Sequence, residues 1–93
     1  MTLDQLEAFV HVARARNFSR AGAALGLAQP TLSGRVAALE GELRTRLFAR
    51  HGHTVELTEA GHALLSYAER MLALRAEGTE TVRRARMGGL GRL

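Results

Sequence analysis

Gln29, Thr31, Ser33 and Arg35 fall within seven residues, directly behind and around the chain's only proline, Pro30. A carboxamide, two hydroxyls and a guanidinium at that spacing are chemistry for hydrogen-bonding an edge or an oxyanion. They are not the parts of a hydrolytic or redox centre. The chain has no cysteine, its one aspartate is Asp4, and its four histidines have no evident acidic partners. No glycine-rich phosphate loop and no paired carboxylates beside a base occur, so no enzymatic activity, cofactor or metal site is expected. His51-Gly52-His53 lacks a third ligand for a metal, and two solvated turn histidines are the simpler reading.

The cations favour an anionic partner. All 13 are arginine, the residue suited to bidentate phosphate and guanine contacts, although a GC-rich genome encodes arginine too. Residues 14–50 hold seven arginines against Glu40 and Glu42. Phe9, Phe18, Phe48 and Tyr67 are the only aromatics, too few for the base-stacking modes of single-strand or RNA binding. Ninety-three residues, 46% of them apolar, suffice for one small core. No signal-peptide core or membrane-length apolar run is present, so a soluble, cytoplasmic protein without membrane contact is expected.

The elements that must position these groups are helical. Pro30 suits a first turn, where backbone donors are unpaired anyway, and Leu32, Val36, Leu39 and Leu43 fall on one face of a helix over 29–43. The opposite face carries Thr31, Gly34, Arg35 and Ala38. It is short-chained and polar enough to press into a grooved, anionic surface such as the DNA major groove. Ahead of it, residues 2–15 read as a helix with a Thr2/Gln5 capping box and a buried face of Leu6, Phe9, Val10 and Ala13, with His11 solvated. Asn17 or Ser19 caps a second helix, with Phe18 stapling its start and Ala21, Ala24, Leu25 and Ala28 as a small-residue face. Gly26 stops it in a left-handed cap. Helix, glycine turn, helix is the helix-turn-helix pattern.

Residues 47–50 and 55–58 flank a turn at Gly52 and predict a two-stranded hairpin, a wing. It brings Arg50 to a phosphate and His53 toward a minor groove. Thr58 caps a long helix over 59–87. Its seam through Ala60, Leu64, Tyr67, Met71 and Leu74 is widened by Leu65, Ala68 and Leu72, broader than one partner needs, which predicts a homodimer contact. Fraying or a bend is expected past Gly78. The arginine- and glycine-rich end reads as a flexible linker.

The motifs Leu6-x-x-Phe9-x-x-Val12, Phe18-Ser19-Arg20-Ala21-Gly22-Ala23-Ala24-Leu25, Gln29-Pro30-Thr31-Leu32-Ser33, Leu39-Glu40-x-x-Leu43, Leu47-Phe48-x-Arg50 and Leu57-Thr58-x-Ala60-Gly61 resemble, jointly and in order, the N-terminal domain of LysR-type transcriptional regulators. The resemblance implies a mainly α, winged helix-turn-helix domain over 1–58 (three helices and a two-stranded wing). It implies a linker helix over 59–87 that pairs two chains, and 88–93 as the start of an effector-binding domain not included. Implied partners are double-stranded DNA carrying an interrupted palindrome and a second copy of the chain, with tetramers in a full-length protein and an effector reaching only the further domain. Implied DNA contacts are Ser19, Arg20, Gln29, Pro30, Thr31, Ser33, Arg35, Arg50 and His53. Implied dimer contacts are Leu64, Leu65, Tyr67, Ala68, Met71, Leu72 and Leu74. Four positions depart from the family's pattern. Gly34 stands where arginine is common, His53 at a wing tip often arginine, Arg44 at a corner usually glycine, and Gly22 for an alanine. The competing class is a protein-interaction module that uses the long helix, its basic surface incidental.

Overall fold

A computed structural model describes residues 1–88, so all but Gly88 of the segment 88–93, expected as a flexible start of a further domain, lies outside the described residues. Helix α1 runs Leu3–Ala15, α2 Phe18–Leu25, α3 Gln29–Leu43, strand β1 Phe48–His51, β2 Thr54–Leu57, and α4 Glu59–Arg86. None of these helices is long and apolar enough to cross a membrane.

Each boundary has a local cause. Thr2 and Gln5 form the capping box of α1, each side chain taking the other residue's backbone N–H at 3.0 Å. Arg16 ends α1 in the left-handed region, and its N–H bonds to the Val12 carbonyl. Asn17, rather than Ser19, caps α2 by accepting the Arg20 N–H at 2.8 Å. Gly26 closes α2 at φ +68°, and the Leu27 N–H returns to the Gly22 carbonyl at 2.9 Å. Pro30 sits in the first turn of α3, where Ala28 offers no side-chain cap. At the far end of α3 the corner forms without glycine, with Arg44 taking φ 57° and its N–H bonding the Glu40 carbonyl.

Helix α1 is the centre of the core. It buries Leu6, Ala8, Phe9, Val10 and Val12, with Ala13 only half-buried, because α2, α3 and α4 all pack against it. Phe48, at the start of the wing, sits among aromatic rings: its centroid is 5.4 Å from Phe9 and 5.9 Å from Phe18. From α3 come Leu32, Val36 and Leu39, whereas Leu43, expected on the same face, is exposed at the helix end.

The face of α2 also differs from expectation. Phe18, Ala21 and Gly22 are buried and Leu25 is half-buried, while Ala24 and Ala28 are exposed. The true stripe follows i, i+3, i+4, i+7 from Phe18. Gly22 therefore belongs to the corner: a Cβ there would stand 2.9 Å from the Leu27 carbonyl oxygen. Its missing side chain is what lets the turn fold back so closely.

Helix α4 continues unbroken through Gly78 to Arg86, without the expected fraying. A single glycine costs about 1 kcal/mol, and pairs such as Glu80–Arg83 support the last turns. The hydrogen bond to Glu80 raises the Arg83 guanidinium pKa above its ordinary value. Two ion pairs, Arg14–Glu69 at 3.4 Å and Arg75–Glu7 at 3.3 Å, bind the middle turns of α4 to α1.

Candidate nucleic-acid interface

The wing is an antiparallel hairpin in which Phe48 faces Leu57, Arg50 faces Val55 and His51 faces Thr54. Gly52 and His53 form a two-residue turn with positive φ only at Gly52, as a II′ turn requires. Phe48 and Val55 point into the core; Arg50, on the same face of the hairpin, is exposed at its edge, as are His51 and His53.

The wing is tied down at both ends. The Val55 N–H bonds the Arg16 carbonyl at 3.3 Å, and the Thr58 N–H bonds the Leu47 carbonyl at 3.0 Å. Thr58 Oγ1 donates to the Arg46 carbonyl and accepts from the Gly61 N–H. At the other end the Glu40 carboxylate accepts the Leu47 N–H at 2.7 Å and lies 3.4 Å from both the Phe48 N–H and Arg46 Nε. Glu40 joins α3 to the wing. In the sequence it counted as one of two acids opposing the local arginines and as part of the motif Leu39-Glu40-x-x-Leu43, with no role of its own.

These ties bring four of the expected contacts together. Ser19 from the first turn of α2, Gln29 from the start of α3, and Arg50 and His53 from the wing line one cleft, floored by Phe18 and Val55. Arg50 does not hang free in solvent: its guanidinium lies 4.2 Å over the Phe18 ring. Gln29 Nε2 donates to Ser33 Oγ at 3.0 Å. Pro30 and Thr31 are exposed beside them, Arg20 is exposed on α2, and Arg35 is half-exposed on the flank of α3 that carries Thr31.

Arg50 also lines a second cleft, with Ala37, Glu40, Gly41, Arg44 and Arg46. Arg46 was not singled out from the sequence, and Arg44 only as a departure at the corner after α3, although their spacing from Arg50 marks a basic run. Between the clefts, the outer face of α3 consists of Gly34, Ala37, Ala38 and Gly41, all exposed. The surface is thus a narrow, small-residue helix edge flanked by arginines, a shape that lets a helix backbone approach a groove. Among the described residues no cluster of three His, Cys, Asp or Glu side chains could hold a metal ion.

The expected pairing face needs correction. Ala68 is fully buried in the chain's own core, so it cannot meet a partner. Leu64, Leu65, Met71 and Leu72 are half-buried against that core. Tyr67 at 58% and Leu74 at 66% exposure point outward, as does Val82, which the sequence reading left out. The broad stripe faces its own head first because α1 runs alongside it.

Residues 3–62 match the family model of bacterial regulatory helix-turn-helix proteins of the lysR family. An uncharacterised HTH-type transcriptional regulator from the ibpB-leuC intergenic region of Azotobacter vinelandii is 53% identical over 74 residues, 80% of this chain and 51% of that protein. The regulator BudR of Klebsiella aerogenes is 46% identical over all 93 residues and 65% of its own length. The chain therefore spans about half to two thirds of these curated relatives. Among solved structures, the CbnR DNA-binding domain in its DNA complex superposes with a TM-score of 0.84 at 38% identity, over 91% of this chain and 98% of that one.

Proposed function

The chain belongs to the lysR family of bacterial regulatory helix-turn-helix proteins, and we propose that it is the sequence-specific DNA-binding part of a dimeric transcription regulator. In this reading residues 1–58 are the DNA-binding head and 59–87 the pairing helix. Helix α3 enters the major groove. Gln29 reads a base edge, adenine most simply, and Thr31 meets a thymine methyl. Ser33, Arg35 and Arg50 hold phosphates, with Ser19, Arg20 and Pro30 at the groove's edge and His53 toward the minor groove. Tyr67 and Leu74 on α4 pair with a second copy. Two heads so joined would meet half-sites of an interrupted palindrome about 34 Å apart.

The observation that carries this reading is the convergence of Ser19, Gln29, Arg50 and His53 on one cleft beside the exposed edge of α3. Selection of bound sequences from random duplex DNA, followed by titration at several salt concentrations, tests it. The expected result is a two-fold symmetric motif and a log–log salt slope of about −0.9 per phosphate contact. Salt-independent binding without sequence preference would refute it and favour a protein-interaction module.

A further inference from the structure

Gln29 and Ser33 stand one turn apart on α3, and the Gln29 amide nitrogen donates to the Ser33 hydroxyl oxygen at 3.0 Å. An exposed carboxamide ordinarily turns about its last bond and offers its donor and acceptor in either order. Here one N–H is committed to Ser33. The second N–H and Oε1 remain, and because a hydroxyl whose O–H is given elsewhere, as to a phosphate, can only accept from the amide, they remain in a single order. That order matters to a base. Adenine displays its N7 acceptor and N6 donor side by side in the major groove, and an amide satisfies both only when its donor faces N7 and its acceptor faces N6.

We infer that Ser33 is a positioning residue that fixes the amide of Gln29, so that selection of one base by Gln29 depends on the Ser33 acceptor. The inference rests on the reading of α3 as a groove-binding helix and adds to it the device that sets base choice. Ser33 keeps its own O–H as a donor, so holding Gln29 does not prevent it from holding a phosphate. A side chain ordered before binding also loses less freedom on binding.

The test is selection from random duplex DNA with the unaltered chain, Gln29→Ala, Ser33→Ala, Ser33→Thr and the double alanine variant, each checked for folding by circular dichroism. Gln29→Ala should flatten preference at one symmetric base position by about tenfold. Ser33→Ala should flatten that same position, and the double variant should be no flatter than Gln29→Ala alone. Ser33→Thr, which keeps a hydroxyl acceptor, should restore the preference. If Ser33→Ala weakens every sequence equally while Gln29→Ala still flattens one position, Ser33 is only a backbone contact and the inference is overturned. It is overturned equally if Gln29→Ala leaves all preferences intact. If the unaltered chain enriches no sequence at all, the groove reading fails first and takes this inference with it.

Discussion

Arg50 rests its guanidinium 4.2 Å above the centre of the Phe18 ring, so the first strand of the wing is joined to the first turn of α2 through a cation on an aromatic face. The same ring meets Phe48 edge-on at 5.9 Å. Phe18→Leu keeps an apolar side chain of smaller volume and removes both ring interactions. It should lower stability by about 1–2 kcal/mol in urea unfolding. It should also weaken DNA binding severalfold, because Arg50 must then be ordered during association. Unchanged affinity would mean that the ring does not orient Arg50 for binding.

Glu40 should matter more than its place in a charge count suggests. Glu40→Ala leaves the Leu47 and Phe48 amides without their shared acceptor, an expected loss of about 1–3 kcal/mol. Glu40→Gln, which still offers a carbonyl oxygen, should recover part of it. Hydrogen exchange at the Leu47 amide provides the local check, and persistent protection there in Glu40→Ala would show that the clamp is not the carboxylate.

Three backbone positions should respond with different signs. Gly34 lies mid-helix in open space, and Gly34→Ala should stabilise by up to about 1 kcal/mol. Arg44 holds a left-handed conformation that glycine adopts without strain, so Arg44→Gly should gain about 1 kcal/mol. Gly61 is the opposite case. A Cβ there would fall under 3.0 Å from both the Leu47 carbonyl and the Leu57 side chain, and Gly61→Ala should cost about 1–3 kcal/mol. Thermal unfolding resolves these, since about 1 kcal/mol moves Tm by about 4–8 °C in a domain of this size.

Leu74→Glu and Met71→Glu separate pairing from folding. Leu74 faces outward, so Leu74→Glu should give monomers by analytical sedimentation with little change in the head's unfolding. Met71 packs on its own core, and Met71→Glu should lower stability by about 2 kcal/mol or more as well. A dimer that survives Leu74→Glu places the contact elsewhere.

What was legible in the sequence was local. The ends of α3, the Thr2–Gln5 capping box, the Gly26 stop and the hairpin at Gly52 are written in residues a few positions apart, and the structure has each of them. What was not legible depends on partners distant in the chain. An alanine-rich helix of eight residues has several registers of similar apolarity, so the burial of Gly22 rather than Ala24 is decided by where Leu27 and Leu32 come to lie. The same holds for Met71, which follows the dimer seam by spacing but turns toward its own head. In the candidate site, residue types announced the donors at Gln29 and Ser33. Their bond to each other, and the seat of Arg50 on Phe18, required the fold.

The two ion pairs between α1 and α4 give the long helix a second property. Arg14–Glu69 and Arg75–Glu7 grip its middle turns, while its last turns extend outward without that support. At 1.5 Å per residue the helix is about 42 Å long, and it behaves as a lever with its fulcrum on α1. Arg86 lies about 16 Å beyond Arg75 at 1.5 Å per residue, so a tilt of a few degrees at that fulcrum displaces the free end by about 1 Å. If two such heads pair through α4 as proposed, the angle between them rests on the apolar packing of Leu64, Leu65, Ala68, Met71 and Leu72, and the two solvent-facing charge pairs add a smaller part that ionic strength can tune.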